Sequence, residues 1–179
     1  MEFNVKKFKL MYITNRKTPI HSDLHLNNNI LELRSGFRDL GSVTVWNLSW
    51  NTPSDKISNK DNKILGLIKR TCKGFQDVSI LRTLYLALVR SQLESCSVVW
   101  SPHTSRNISK LERIQRRATK FILKTNDDYE QRRKMLNLLS LEQRRFLFDV
   151  LFLHKALNGY INIDLSTYVH FFSDSDRCP

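Results

Sequence analysis

The most apolar run of the chain, Ser79 to Trp100 (SILRTLYLALVRSQLESCSVVW), sets the pattern from which the rest is read. Leu81, Leu84, Tyr85 and Leu88 recur at helical spacing, and Leu86, Ala87 and Val89 fill the other side. A helix that is apolar nearly all round is a buried one. The spacing therefore predicts a central helix from Ile80 to Cys96, started by Asp77 as N-cap and stopped before Pro102. Downstream, Leu111, Ile114, Ala118 and Phe121 are spaced three, four and three, a core-facing stripe on a helix over residues 106–124. Ser140-Leu-Glu-Gln143 has the form of a capping box. It opens a strongly apolar helix from Leu141 to about Leu157, with Asn158 and Gly159 as its stop.

Two further helices carry weaker patterns. Ser54 or Asp55 suits the start of a helix reaching Thr71 or Lys73, with Ile57, Ile64, Leu65 and Ile68 on one face and Gly74 at its end. A short helix over residues 132–139 follows an acidic break at Thr125–Glu130. The first 45 residues have a period nearer two. Phe3, Val5, Phe8, Leu10 and Tyr12 alternate as a strand. Residues 21–26 and 30–33 flank Asn27-Asn28-Asn29, and asparagine tolerates the positive φ of a hairpin turn. Residues 37–45 suggest a further strand, with Gly41 as a break or bulge. The expected fold is α+β and mostly α: a short N-terminal antiparallel sheet (1–50), a bundle of four to five helices (51–160) and a tail without clear period (161–179).

Charge changes this picture from a fold to a surface. The chain has 29 Lys and Arg against 17 Asp and Glu, a formal net charge of +12. Residues 51–124 hold 15 of the cations and five of the acids, so the middle segment carries +10. Such a segregated basic region fits a polyanion, of which nucleic acid is commoner than a membrane surface. No run of 18 apolar residues suggests a membrane helix, the N-terminal stretch MEFNVKKFKL lacks a signal-peptide core, and three widely spaced cysteines give no disulfide framework. The expected location is intracellular, nuclear or cytoplasmic, and not secreted.

Within that region Lys110, Arg113, Arg117, Lys120 and Lys124 are spaced three, four, three and four, one residue behind the apolar stripe of the same helix. Arg116 widens this second stripe, and it runs along roughly 21 Å of helix. Like charges at these spacings destabilise a helix by a few tenths of a kcal/mol per pair, so packing or an anionic ligand must offset them. Lys69, Arg70 and Lys73 form a second basic segment. The alternative reading of both segments is a solvated face. Asn126-Asp-Asp-Tyr129 pairs two aspartates with an aromatic residue, but a helix-breaking loop explains it without a metal. His21 and His25 lack the further ligands a zinc site needs, and His154 lies on an apolar helix as a buried or rim residue. Tyr85, Trp100, Phe121, Phe146, Phe148 and Phe152 are assigned to the core; Trp46 and Trp50 sit in a connection. Cys72 and Cys96 are assigned to the core or to helix ends.

Several of these segments, in order, resemble a known family. They are Leu65-Gly-Leu-Ile-Lys-Arg-Thr-Cys72, Leu84-Tyr-Leu-Ala-Leu-Val-Arg90, Leu93-Glu-Ser-Cys-Ser-Val-Val-Trp-Ser-Pro102, Leu111-Glu-Arg-Ile-Gln-Arg-Arg117 and Leu136-x-Leu-Leu-Ser-Leu-Glu-x-Arg-Arg145. Together they are similar to the region after the polymerase core in reverse transcriptases of jockey-like non-LTR retrotransposons. Asn4-Val-Lys-Lys7 resembles the fourth palm motif, and Phe37-Arg-Asp-Leu-Gly41 the primer-grip turn. The resemblance covers about residues 3–160. It implies the last palm strands followed by a helical thumb that packs against a template–primer duplex. It would put Phe37, Leu40 and Gly41 in the primer grip, Lys7 near the incoming nucleotide, and Lys69–Lys73 and Lys110–Lys124 in the thumb. The aromatic-x-Asp-Asp turn and the fingers would lie upstream of this chain, and Gly41–Pro53 departs from the family pattern. No catalytic residue and no cofactor is therefore expected here; magnesium would belong to the missing palm motif. The expected partners are the backbone of an RNA–DNA or DNA duplex and the rest of the polymerase. The other readings are a helical protein-interaction module and a non-functional transposon remnant.

Overall fold

The computed structural model describes residues 8–14, 22–39 and 42–165. Its fold is α+β and mostly helical: among the described residues, six short strands precede five helices. The strands are β1 (Lys9–Leu10), β2 (His25–Leu26), β3 (Asn29–Ile30), β4 (Glu32–Leu33), β5 (Gly36–Asp39) and β6 (Ser42–Val45). They make three separate pairs rather than one meander. β2–β3 and β5–β6 are antiparallel, whereas β1 pairs with β4 in parallel. The asparagine turn forms as expected, with Asn27 and Asn28 at φ 49° and 60°. The segment 37–45, expected as one strand, is instead a hairpin. Pairs this short have little stability of their own.

α1 spans Asn51–Thr71 and starts three residues before the expected Ser54. Pro53 is the reason. Its fixed φ and missing N–H are harmless in a first turn, so it lies inside the helix, and Ser54 is buried within it. α1 ends at Cys72 (φ −101°) without using Gly74 in a left-handed conformation.

α2 is continuous through α-helical Val78–Leu84, a π-helical Tyr85–Arg90 and α-helical Ser91–Glu94. Asp77 caps it as expected, its Oδ1 accepting from the N–H groups of Ser79 and Ile80. Leu81, Tyr85, Val89 and Leu93 are its innermost apolar residues. A strict four-residue step overshoots an α-helical turn by about 40°. The wider π turn takes up that drift, so all four side chains reach one core. The expectation of a helix buried all round is corrected: Ile80, Ala87 and Leu88 are exposed. The helix ends at Glu94 rather than Cys96, which reverses the chain at φ 56°.

α3 (Ser105–Leu123) stops where Lys124 turns left-handed at φ 53°. α4 (Tyr129–Met135) begins earlier than expected because Asp128 caps it through the Glu130 N–H. α5 (Leu141–Leu157) has the predicted capping box, with Ser140 and Gln143 exchanging bonds of 3.1 Å, and Gly159 takes a left-handed φ of 72° behind it.

The core joins Leu65 and Ile68 of α1, the α2 stripe, Trp100, and Leu111, Ile114, Ala118 and Ile122 of α3; Leu136, Leu138 and Leu141 close it. No described strand residue belongs to it. Burial of each such side chain stabilises by about 1.5–3 kcal/mol, so the helices, not the strands, carry the fold. Tyr85 and Trp100 are core as expected, and Trp50 and Phe121 pack against the core. Phe146 is not core: it is 70% exposed. Only Leu141, Arg145 and Ala156 of α5 are buried, because one narrow side of that helix meets the body. His154 is exposed for the same reason, and Phe148 and Phe152 are half-buried.

The segments around Glu94 and Trp100 bond to the start of α5. Arg144 grips the Glu94 carboxylate with two bonds of 2.6 and 2.9 Å, and Arg90 adds a third at 2.7 Å. Arg145 donates to the Leu93 carbonyl at 2.8 Å and lies 4.9 Å over the Trp100 ring. Trp100 in turn donates Nε1–H to Ser95 O.

Candidate nucleic-acid interface

α1 and α3 run side by side in the same direction. Asn51 bonds Asn107, Asp55 pairs with Lys110, Asn62 bonds Arg117, and Lys69 lies over the Phe121 ring at 5.7 Å. Partner numbers rise together along both helices, so both C-terminal ends lie at one end of the molecule. Cations there complement two helix dipoles: Lys69 and Arg70 in the last turn of α1, Lys120 in that of α3. Lys124 follows, donating to Phe75 O at 2.8 Å.

The two sides of α3 differ completely. At 3.6 residues per turn, Lys110, Arg113, Arg117 and Lys120 fall within an arc of about 80°. Arg113, Arg116, Arg117, Lys120 and Lys124 are exposed and Lys110 is half-buried. Lys110 is tied to an acid of α1, not to the C-terminal third. Among the described residues, Arg113 and Lys120 have no partner. Arg106, one turn before Lys110, is also exposed and lengthens the stripe. Burial and the neighbouring charge of Arg117 pull Lys69 below the usual lysine value, and Arg70 and Lys73 are exposed.

The inner side holds the acid. Glu112 turns away from the cations and is 9% exposed. Its Oε1 accepts from the Tyr129 hydroxyl, and its Oε2 accepts the Leu141 N–H at 3.0 Å, at the start of α5. Gln115, fully buried, accepts from Tyr85 OH at 2.8 Å and donates to Tyr129 OH and Leu139 O at 3.0 and 2.9 Å. One polar cluster therefore fastens α2, α4 and the start of α5 to α3. Such a cluster is costly when half-satisfied and rigid when complete. Burial is the main cause that lifts both tyrosine hydroxyls well above the usual tyrosine range.

Of the other expected site residues, Phe37 is exposed on β5; Leu40, Gly41 and Lys7 lie outside the described residues. A cavity of about 270 Å³ lies where the β5–β6 hairpin meets α1 and the end of α2, lined in part by Arg38, Val43, Ile57, Asp61, Gln92 and Trp100. Asp61 is fully buried there with neither oxygen hydrogen-bonded, and burial raises its carboxyl from the usual value to about 7. Among the described residues, no group of three or more metal-ligating side chains is present. No described helix is long and apolar enough to cross a membrane.

Sequence reasoning missed two neighbours of Arg116, Tyr129 and Arg133. The Arg116 guanidinium lies 4.8 Å over the Tyr129 ring, and Arg133 lies 5.3 Å from the same ring. Neither follows from the period of α3, because Tyr129 and Arg133 belong to α4, which meets α3 across a loop. Arg106 was legible, standing four residues before Lys110. No protein-family model, curated protein or solved structure matches the chain.

Proposed function

We propose that this chain is the end-of-palm and thumb region of a reverse transcriptase like those of non-LTR retrotransposons, and that α3 and the C-terminal end of α1 hold nucleic-acid backbone without sequence preference. The observation that supports this most is the sorting of charge on α3. Its cations share one solvent face, while its sole acid, Glu112, is committed to the interior. Cations lined up over about 21 Å of rigid helix suit a row of phosphates. Chemistry is left to a part of the polymerase outside this chain. A two-metal centre needs a set of carboxylates, and Asp61 alone is not one. Filter binding of an RNA–DNA hybrid at two salt concentrations tests the reading; the expected result is binding that weakens steeply with salt. Binding that is absent or indifferent to salt would overturn it.

A protein-interaction role has one observation in its favour. Phe146, Val150, Leu153 and Leu157 stand exposed along α5 at steps of four, three and four, the period of a helix–helix seam. Light scattering with and without nucleic acid separates the two: a monomer that binds only nucleic acid counts against this second role.

A further inference from the structure

Three guanidiniums surround one aromatic ring where α4 meets α3. The carbon at the centre of each lies 4.8 Å (Arg116), 5.3 Å (Arg133) and 5.9 Å (Arg132) from the Tyr129 centroid. The ring is fixed from beneath, because its hydroxyl bonds Glu112 and Gln115. The three arginines are not equivalent. Arg132 is buried, bonded to Thr119 Oγ1 and to the Asp127 carbonyl. It contributes charge but few free donors. The Arg116 guanidinium is exposed and makes no hydrogen bond among the described residues. Arg133 donates one Nη1–H to Gln143 at 3.2 Å, while its Nε–H, shut away from solvent, has no acceptor. Two carboxylates border the cluster. Glu112 is already bonded to Tyr129 and Leu141, and Asp128 to the Glu130 N–H. That backbone bond is the first cause holding Asp128 below the usual carboxylate range, ahead of the charges of Arg132 and Arg116.

Three cations gathered around one ring differ from a stripe. A stripe suits successive phosphodiesters, each with one charge. A focus of guanidinium forks suits one group with about two charges and three acceptor oxygens. We propose that Arg116 and Arg133, held by Tyr129, form a site for a phosphate monoester, and that the monoester is the terminal phosphate of a nucleic-acid strand lying along α3. The second half rests on the backbone-binding reading above; the first does not. Arg116 belongs both to the edge of the stripe and to the cluster, so a strand on α3 can deliver its end to Arg133. Arginine rather than lysine is what the site needs, since only the planar fork can give two parallel bonds to one phosphate.

The test compares the full chain's affinity for one RNA–DNA hybrid prepared with hydroxyl ends, with 5′-phosphates or with 3′-phosphates. At least one phosphorylated form binds roughly tenfold tighter than the hydroxyl form, the worth of one or two hydrogen bonds between charged groups. Arg133→Gln abolishes that preference and leaves binding of the hydroxyl form within about twofold, a loss of end contacts alone. Arg116→Gln, at an exposed position, also abolishes the preference. Arg113→Gln weakens all three forms alike and keeps the ratio. Equal binding of all forms, or a preference that survives in Arg133→Gln, overturns the terminal-phosphate site while leaving backbone binding in place. Calorimetric titration with phenyl phosphate separates the two claims. Saturable binding lost in Arg133→Gln, with no hybrid bound, keeps the monoester site and removes the strand. No phenyl phosphate binding and no hybrid binding removes both.

Discussion

The inner and outer sides of α3 are one helix with two kinds of polar residue. Inside, Glu112 and Gln115 are buried, bond each other at 3.4 Å and otherwise bond to other elements. Outside, Arg113 and Lys120 make no hydrogen bond or ion pair among the described residues. Polar groups of the first kind are locked by each other and specify which segments meet. Those of the second kind cost a little helix stability and are free to meet an anion. The same residue types thus support architecture on one side and, in our reading, binding on the other, and the two roles separate in experiment.

The largest effect is expected on the inside. Glu112→Ala leaves the Leu141 N–H and the Tyr129 hydroxyl without an acceptor. A loss of about 3 kcal/mol is expected in urea unfolding. A loss below about 1 kcal/mol would mean the cluster is not what joins α3 to α5.

Asp61 is the next largest. Its folded carboxyl is raised to about 7 from an ordinary 3.8, so the folded chain holds a proton that the unfolded chain releases between those values. The stabilisation is full below about pH 4 and is lost as pH rises through 7. The full linkage value is about 4 kcal/mol. Water entering the adjacent cavity screens the charged form, so a fall on the order of 2 kcal/mol is expected. In Asp61→Asn that slope flattens. A wild-type stability that is level between pH 4 and 7 would contradict the burial of an unpaired carboxyl.

The smallest effect on stability belongs to the outside. Arg113→Gln and Lys120→Gln, alone or together, should shift unfolding by no more than about 0.5 kcal/mol each, in either direction. Lys110→Gln removes an exposed pair with Asp55, worth under about 1 kcal/mol. If any of these behaves like Glu112→Ala, the division between the sides is wrong.

Much of the architecture was legible from local signals. The Asp77 cap, the Ser140–Gln143 box and the Asn27–Asn28 turn are each decided by a few neighbouring residues, and local chemistry is written in the sequence. The 3.6 period likewise gave the core stripe of α3. Errors arose where tertiary packing decides. Pro53 suggested a helix start beyond it, yet it is tolerated in a first turn. Phe146 was placed in the core by its type, yet among the described residues no element covers that side of α5. The strands at 25–45 were legible as strands but not as separate pairs, since register depends on partners.

The candidate site was half legible. Its cations could be counted and assigned to one face. That Glu112 leaves this face follows from helical angle. That Tyr129 and the Leu141 N–H wait for it does not, because both come from segments 17 and 29 residues away. The parallel run of α1 beside α3 was equally hidden, although it is what adds Lys69 and Arg70 to the same end as Lys120.

The most direct measurement is the dependence of hybrid affinity on salt. Plotted as log K against log salt concentration, five phosphate contacts give a slope of roughly −4 to −5 on B-form DNA. The account predicts a steep slope for the wild-type chain, shallower by about one for each of Arg113→Gln and Lys120→Gln, with unfolding unchanged. A steep slope that neither substitution alters would show that phosphates are held elsewhere and would contradict the central claim.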